Sequence, residues 1–347
     1  MTRTRGGHWD SIVSFENLLR ATLRAARGKR RQRVVAEFLA ERERRALALR
    51  ADLRAGTWRP GEPKTFLIED PKRRLISAAP FTDRVVHHAL IDVLEPTLER
   101  RMVRHSFACR RGLGVHAALD HAQGLIRRHP WFLKLDVAQC FGSMRHDVVM
   151  GTLGRVLRGR RTLELCERIV AGPPSTAGSG RGLPIGNLTS QWFANLTLDR
   201  LDHYVLESIR VHGYARYMDD FVVVGPTKAS LVTAHARIAG FLAEQLHLEL
   251  KQRATILAPS SEGLPFLGWR LYPGLRRLRP QNLRRSLARL RRRRWELATG
   301  QISERGYIDG VRALCSHLGH GSTLTLRRSI FDRHSGVPVA RAEGRPP

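Results

Sequence analysis

The sequence is short of acid. Its 347 residues carry 31 Asp plus Glu against 60 Lys plus Arg, a formal net charge of +29, with an isoelectric point near 11.5. A field that positive attracts polyanions, nucleic acid first and acidic membrane surface second. Long apolar runs are also missing, and no stretch approaches the roughly 20 residues of a spanning helix. The basic opening stretch MTRTRGGHWDSIV lacks the apolar segment of a secretory signal, so a cytoplasmic protein without a membrane partner is expected. Cysteine is scarce. Cys109, Cys140, Cys166 and Cys315 form no CxxC pair, which argues against a disulfide framework and a zinc ribbon. CSHLGH gathers Cys315, His317 and His320, but a fourth zinc ligand would have to come from His334; core or surface roles are the expectation. No internal repeat is found.

What is present suffices for a packed globular protein. Hydrophobic residues make up 42% of the chain, and the length exceeds what one hydrophobic core usually serves, so two or three subdomains are expected. Residues 11 to 55 read as helices, one opening at Ser14 and a second running unbroken to Gly56. KTFLIEDPKRRLISAAP reads as two short strands around an Asp70-Pro71 turn, followed by a helix with Thr82 as its N-cap. WFLKLDVAQCFGSM is an apolar strand ending on Asp136, and a helix pair follows to residue 171. A loop rich in Gly, Pro and Ser over 172 to 184 leads into a helix carrying Leu188, Trp192, Phe193 and Leu196 at helical spacing. A helix near 229 to 245 and a short strand in LHLELKQRATIL come later. From residue 275, leucines 283, 287, 290 and 297 line one side of an arginine-covered helix, a face suited to phosphate.

The stretch GYARYMDDFVVVG reads as a hairpin with Met218, Asp219 and Asp220 at its tip. Two adjacent carboxylates repel, and burying them costs energy unless positive charge intervenes. Asp136, also at a strand end, supplies a third carboxylate if the strands are neighbours. Oxygen-only ligands suit Mg²⁺, and two such ions can activate a hydroxyl and stabilise a leaving pyrophosphate.

The ordered set is more specific than any one motif. An Asp with Phe141 five residues on, a Gly-rich loop opening a helix, Tyr-x-Asp-Asp, and then FLGW resembles the reverse transcriptase family, from about Leu18 to at least Gly268. The resemblance implies an α+β right-hand polymerase with helical fingers, a palm whose antiparallel sheet is flanked by helices, and an α-helical thumb. Its expected divisions are a helical segment over 1–60, fingers over 61–135, palm over 136–265 with the helices of 145–185, and a basic thumb over 266–347. It also implies that Asp136, Asp219 and Asp220 are catalytic and, with the Val137 carbonyl, hold two Mg²⁺ ions. Phe141 would be the gate beneath the sugar, favouring deoxynucleotides. Arg74 and Arg110 would contact triphosphate or template, a task that suits the guanidinium's bidentate geometry. Ile185, Gly186, Gln191 and Tyr217 would line the nucleotide and template site. LELKQRAT places Arg253 where the family has a lysine near the leaving phosphate, with Lys251 close by. Phe266, Leu267, Gly268 and Trp269 match the primer grip. RNA template, DNA or RNA primer and dNTPs are the implied partners.

Most family members carry Gln-Gly-x-x-x-Ser-Pro ahead of the hairpin. Here LPIGNLTSQWFANL puts Ile185 in place of the glutamine and Gln191 in place of the proline, a pattern that resembles the reverse transcriptases of diversity-generating retroelements. PKRRLISAAPFTDRVVHHAL and SFACRRGLGVHAAL resemble that group too, as does a short chain without nuclease or maturase extension. That branch implies a template-repeat RNA copied into cDNA with errors at adenines, and a small basic helical accessory protein that forms a ring. The alternatives are another bacterial branch, such as a retron or phage-defence enzyme, and a non-catalytic, maturase-like RNA-binding protein. Retron enzymes carry NAxxH and VTG signatures, and neither occurs here.

Overall fold

The computed structural model describes residues 7–69, 73–173 and 180–332. The expected Asp70-Pro71 turn, part of the 172–184 loop and His334 lie outside the described residues. The chain opens with α1 (Trp9–Ile12), α2 (Phe15–Ala25), α3 (Arg33–Ala40) and α4 (Arg42–Ala55). Ser14 caps α2 as expected, its hydroxyl accepting from the Asn17 amide at 3.2 Å. The long second helix is not continuous. It breaks at Glu41, whose carboxylate accepts from Arg44 at 2.6 Å and Arg45 at 3.0 Å.

A two-stranded antiparallel sheet of β1 (Lys64–Ile68) and β2 (Arg74–Ala78) precedes α5 (Phe81–Glu99). Thr82 is not the cap of α5. The helix starts at Phe81 behind Pro80 and has no side-chain cap bond. Its first turn instead carries Asp83, 4% exposed, which accepts from the Gly61 amide at 2.8 Å. A helix N-terminus favours a carboxylate, but burial is the stronger effect and raises this acid to about 6, against hydrogen bonds from Gly61 and Trp58 that lower it. A raised acid contributes stability that is fully present below its unfolded value and is lost as pH rises through about 6. Asp83→Asn keeps an acceptor for Gly61 and removes the buried charge. The variant is expected to exceed the parent in urea-unfolding stability by about 1–3 kcal/mol at pH 8, with the gap closing towards pH 4.

Next come α6 (Val115–Arg128), β3 (Trp131–Asp136), α7 (Cys140–Ser143), α8 (His146–Val156), α9 (Arg160–Ala171) and α10 (Leu188–His203). β4 (Gly213–Tyr217), β5 (Asp220–Gly225), α11 (Lys228–Phe241) and β6 (Ile256–Pro259) complete the central part. The main sheet has the order β4-β5-β3-β6, antiparallel throughout. Side chains alternate between its faces. Leu133, Leu135, Phe221 and Val223 join the core built with α2, α5, α8 and α10. Phe132, Val222 and Val224 join a second core under α6. The strand expected in LHLELKQRATIL is interrupted. Leu250 makes a single bridge to Val137, a 3-10 turn occupies Gln252–Ala254, and pairing resumes in β6.

β7 (Leu264–Phe266), β8 (Trp269–Leu271) and β9 (Arg276–Leu278) form a small sheet. It is followed by α12 (Pro280–Ala298), α13 (Glu304–Gly319) and α14 (Leu324–Asp332), which share a core of Leu290, Leu318 and Ile330. Two expected division points, 135/136 and 265/266, fall inside β3 and β7. Among the described residues no helix is long and apolar enough to cross a membrane.

Candidate active site

Two strand ends bring the acids together. β3 and β5 pair so that Asp136 lies directly across from Asp220. Tyr217 pairs with Asp220 across β4 and β5, leaving Met218 and Asp219 as a two-residue connection, with Met218 at φ +55°. The Val137 amide donates to the Asp219 carbonyl at 3.1 Å, and the Asp136 carbonyl accepts from the Lys251 amide at 2.8 Å. The end of β3 is thus tied on both flanks.

Beneath the turn lies a buried cation. Arg216 is 0% exposed. Its guanidinium donates to Asp202 Oδ1 at 2.7 Å and Oδ2 at 2.5 Å, to Asn195 Oδ1 at 2.7 Å, and to the Met218 carbonyl at 3.2 Å. Tyr214 adds a hydroxyl bond to Asp202 at 2.7 Å. The hairpin tip therefore rests on an internal ion pair donated by β4 and α10.

The acids act on one another electrostatically. Burial raises the Asp220 carboxyl to about 6, and the charges of Asp136 and Asp219 add to the rise, against the Lys134 ammonium. Lys134 Nζ lies 2.7 Å from Asp220 Oδ1. The buried Cys140 thiol is pushed up by desolvation and also feels Asp219 and Asp136. The donor set, carboxylates with neighbouring backbone carbonyls, is all oxygen and fits a hard cation such as Mg²⁺. Yet no group of three His, Cys, Asp or Glu side chains stands arranged to hold a metal among the described residues. The two strand segments are neighbours, as the convergence of the acids requires. The backbone register aligns Asp136 with Asp220, while the Asp220 side chain is engaged by Lys134.

The other expected residues differ in what they touch. The Phe141 carbonyl accepts from the Leu183 amide at 2.7 Å, and its ring packs half-buried on the first core. The Ile185 carbonyl accepts from the Ser77 amide of β2 at 3.0 Å. Gly186 has φ +116°, and a Cβ there would stand 3.1 Å from Ile76, so a glycine lets β2 approach this loop. Gln191 accepts from the Cys109 thiol at 3.3 Å, and burial pushes the neighbouring Tyr217 phenol up. Arg74 is exposed on β2.

Other residues are turned inward. Arg110 is 8% exposed in its side chain, pairs with Glu99 at 2.8 Å, and donates to the Val103 and Ser106 carbonyls. Here this guanidinium holds a loop. Phe266 and Trp269 are buried in the second core. What the motif presents is its turn, with Leu267 at φ +46° and Gly268 at φ +89° and the Gly268 carbonyl accepting from Asn282 at 2.9 Å. Arg253 and Lys251 are both exposed, Arg253 in the 3-10 turn and Lys251 on the wall of a cavity of about 560 Å³ with Ala138, Gln139, Arg181 and Glu249. Sequence reasoning missed Lys134 altogether. Its signal was present, since a residue two before Asp136 on a strand shares its face.

Residues 64–271 match the family model described as "Reverse transcriptase (RNA-dependent DNA polymerase)". Among curated relatives, Protein YkfC of Escherichia coli K12 is 24% identical over 266 residues, covering 64% of this chain and 70% of that one. The group II intron-encoded protein LtrA of Lactococcus lactis subsp. cremoris is 21% identical over 288 residues, 62% of this chain and 48% of LtrA. Nuclear intron maturase 1, mitochondrial, of Arabidopsis thaliana is 35% identical over 97 residues, 27% of this chain and 14% of the maturase. The chain thus spans less than half of these two intron-related proteins. Among solved structures, telomerase from Candida tropicalis in complex with a TWJ fragment of telomeric RNA matches with a TM-score of 0.50 at 11% identity, covering 83% of this chain and 58% of that one. At that identity the likeness is one of fold.

Proposed function

The chain belongs to the reverse transcriptase (RNA-dependent DNA polymerase) family, and from that premise we propose that it copies an RNA template into DNA by nucleotidyl transfer at the β3 and β4–β5 strand ends. The observation that carries this reading is the pairing of Asp136 with Asp220 beside Asp219 at the hairpin turn. In this reading the β1–β2 sheet belongs to the fingers, the four-stranded sheet to the palm and α12 to α14 to the thumb.

Asp136, Asp219 and Asp220, with the Val137 carbonyl, would hold two Mg²⁺ ions, which supply a deprotonated 3′-hydroxyl and charge neutralisation at the leaving pyrophosphate. The chain's own residues orient the reactants. Phe141 fills the space that a ribose 2′-hydroxyl needs. Arg74 and the loop of Ile185 and Gly186 meet the incoming nucleotide between β2 and α10. Lys251, whose backbone amide donates to the Asp136 carbonyl, would be the cation for the departing phosphate, rather than Arg253. The turn at Leu267 and Gly268 steadies the primer. An assay of primer extension on an RNA template with dNTPs and Mg²⁺ tests the proposal; full-length complementary DNA is expected, and its absence at saturating protein rejects the reading.

Within the family, Ile185 and Gln191 support the diversity-generating branch, with a template-repeat RNA, adenine-directed errors and a small ring-forming basic helical partner. An apolar Ile185 offers no amide to judge the nascent pair, and a site without a polar discriminator rejects wrong partners weakly. Ile185→Gln is expected to lower misincorporation opposite template adenine by about tenfold, the scale of one lost contact of 1–3 kcal/mol. Sequencing of the cDNA reads this directly, and an unchanged error spectrum contradicts it. A maturase-like reading, RNA binding without DNA synthesis, draws support from the intron maturases among the relatives.

A further inference from the structure

One charged side chain on the inner part of the main sheet has no place in the chemistry above. Lys134 is 9% exposed, in a position where lysine is rare unless paired. It stands on β3 two residues before Asp136 and therefore on the same face. Its register partners are Val222 on β5 and Ile256 on β6, both apolar. Asp220, one step further along β5 on that face, lies diagonally across from it, and the ammonium sits 2.7 Å from Oδ1.

We propose that Lys134 is a positioning residue that holds the Asp220 carboxylate in the metal-free enzyme and surrenders it when divalent ions bind. The inference rests on the polymerase reading of the three acids. Three carboxylates at two adjoining strand ends repel one another, and the lysine offsets one of those charges in the absence of metal. The same contact occupies Asp220 Oδ1, an oxygen a cation would need. A cation that recruits Asp220 competes with Lys134 for it. The lysine thus lowers metal affinity in the empty enzyme while keeping the empty site folded.

The sign of this effect separates it from a merely structural role, because removing a supporting residue ordinarily weakens ion binding. Calorimetric titration of the full chain with Mn²⁺ alone, without nucleic acid or dNTP, reads it. Lys134→Met is expected to lower the metal-free melting temperature, yet to tighten Mn²⁺ binding about fivefold or more, since one unit charge within about 4 Å is worth that much even in high dielectric. The metal-induced rise in melting temperature should grow in step. Lys134→Arg, which keeps the charge, should bind like the parent. In an Asp220→Asn background the gain from Lys134→Met should shrink, since only the direct repulsion between ammonium and cation is then removed. Should Lys134→Met fail to fold, Lys134→Gln carries the same expectation. Mn²⁺ binding that stays equal or weakens in the charge-removed variant overturns the proposal. If instead the parent chain shows no Mn²⁺ uptake that Asp219→Asn diminishes, the polymerase reading itself falls, and this inference with it.

Discussion

Asp219→Asn is expected to cut primer extension on an RNA template by at least about 10²-fold, the scale of one removed electrostatic contact to a transition state, while leaving RNA affinity within about twofold. The expectation follows from where the residue sits. Asp219 is the second residue of a two-residue connection, its carbonyl accepting from the Val137 amide, so its backbone is held from β3. Asparagine preserves size and turn propensity and removes one charge. RNA affinity should be insensitive because it draws on a net charge of +29 spread over the chain, of which one acid is a small part. Filter binding beside the extension assay gives both numbers. A parent and variant that extend equally poorly, with RNA binding intact, would favour the maturase-like reading.

Asp202→Ala is expected to destabilise the protein by about 3–5 kcal/mol, because it strips the counter-ion from a fully buried cation. Both partners of this pair are inaccessible, at 0% for each side chain. The loss should also reach the site. Arg216 donates to the Met218 carbonyl at 3.2 Å and its backbone is pinned by His105 and Phe107, so a guanidinium seeking a new partner displaces the turn that carries Asp219. The midpoint of urea unfolding measures the first effect. Residual extension per folded molecule measures the second, and it should fall as well. A change below about 1 kcal/mol would mean that the pair carries no net stabilisation at this position.

The strands that carry the acids were legible because strand patterns are local. WFLKLD and DFVVVG are apolar runs with an acid at one end, so composition and charge alone put Asp136 and Asp220 at strand ends. Ser14 was legible for the same reason, as a small hydroxyl ahead of an apolar helical stripe. What escaped depends on partners distant in the chain. Arg110 looks like any surface arginine until Glu99 and two loop carbonyls surround it. Thr82 has the chemistry of a cap, yet α5 begins at Phe81 behind Pro80 and Gly61 claims the nearby Asp83. The break at Glu41 lies within a helix-favouring run and is marked by the arginines that gather on its carboxylate. Lys134 was passed over in a strand that otherwise reads as apolar, although its spacing from Asp136 puts it on the same face.

The central claim is that the ends of β3 and the β4–β5 hairpin form a divalent-cation site for nucleotidyl transfer. Crystals of the chain grown with Mn²⁺ and a non-hydrolysable deoxynucleotide, measured at the manganese absorption edge, test it most directly. The account predicts an anomalous peak in coordination distance of Asp136 and Asp219, with the triphosphate oxygens on its far side. Manganese bound elsewhere, with that pair of acids left bare in the presence of nucleotide, would contradict it.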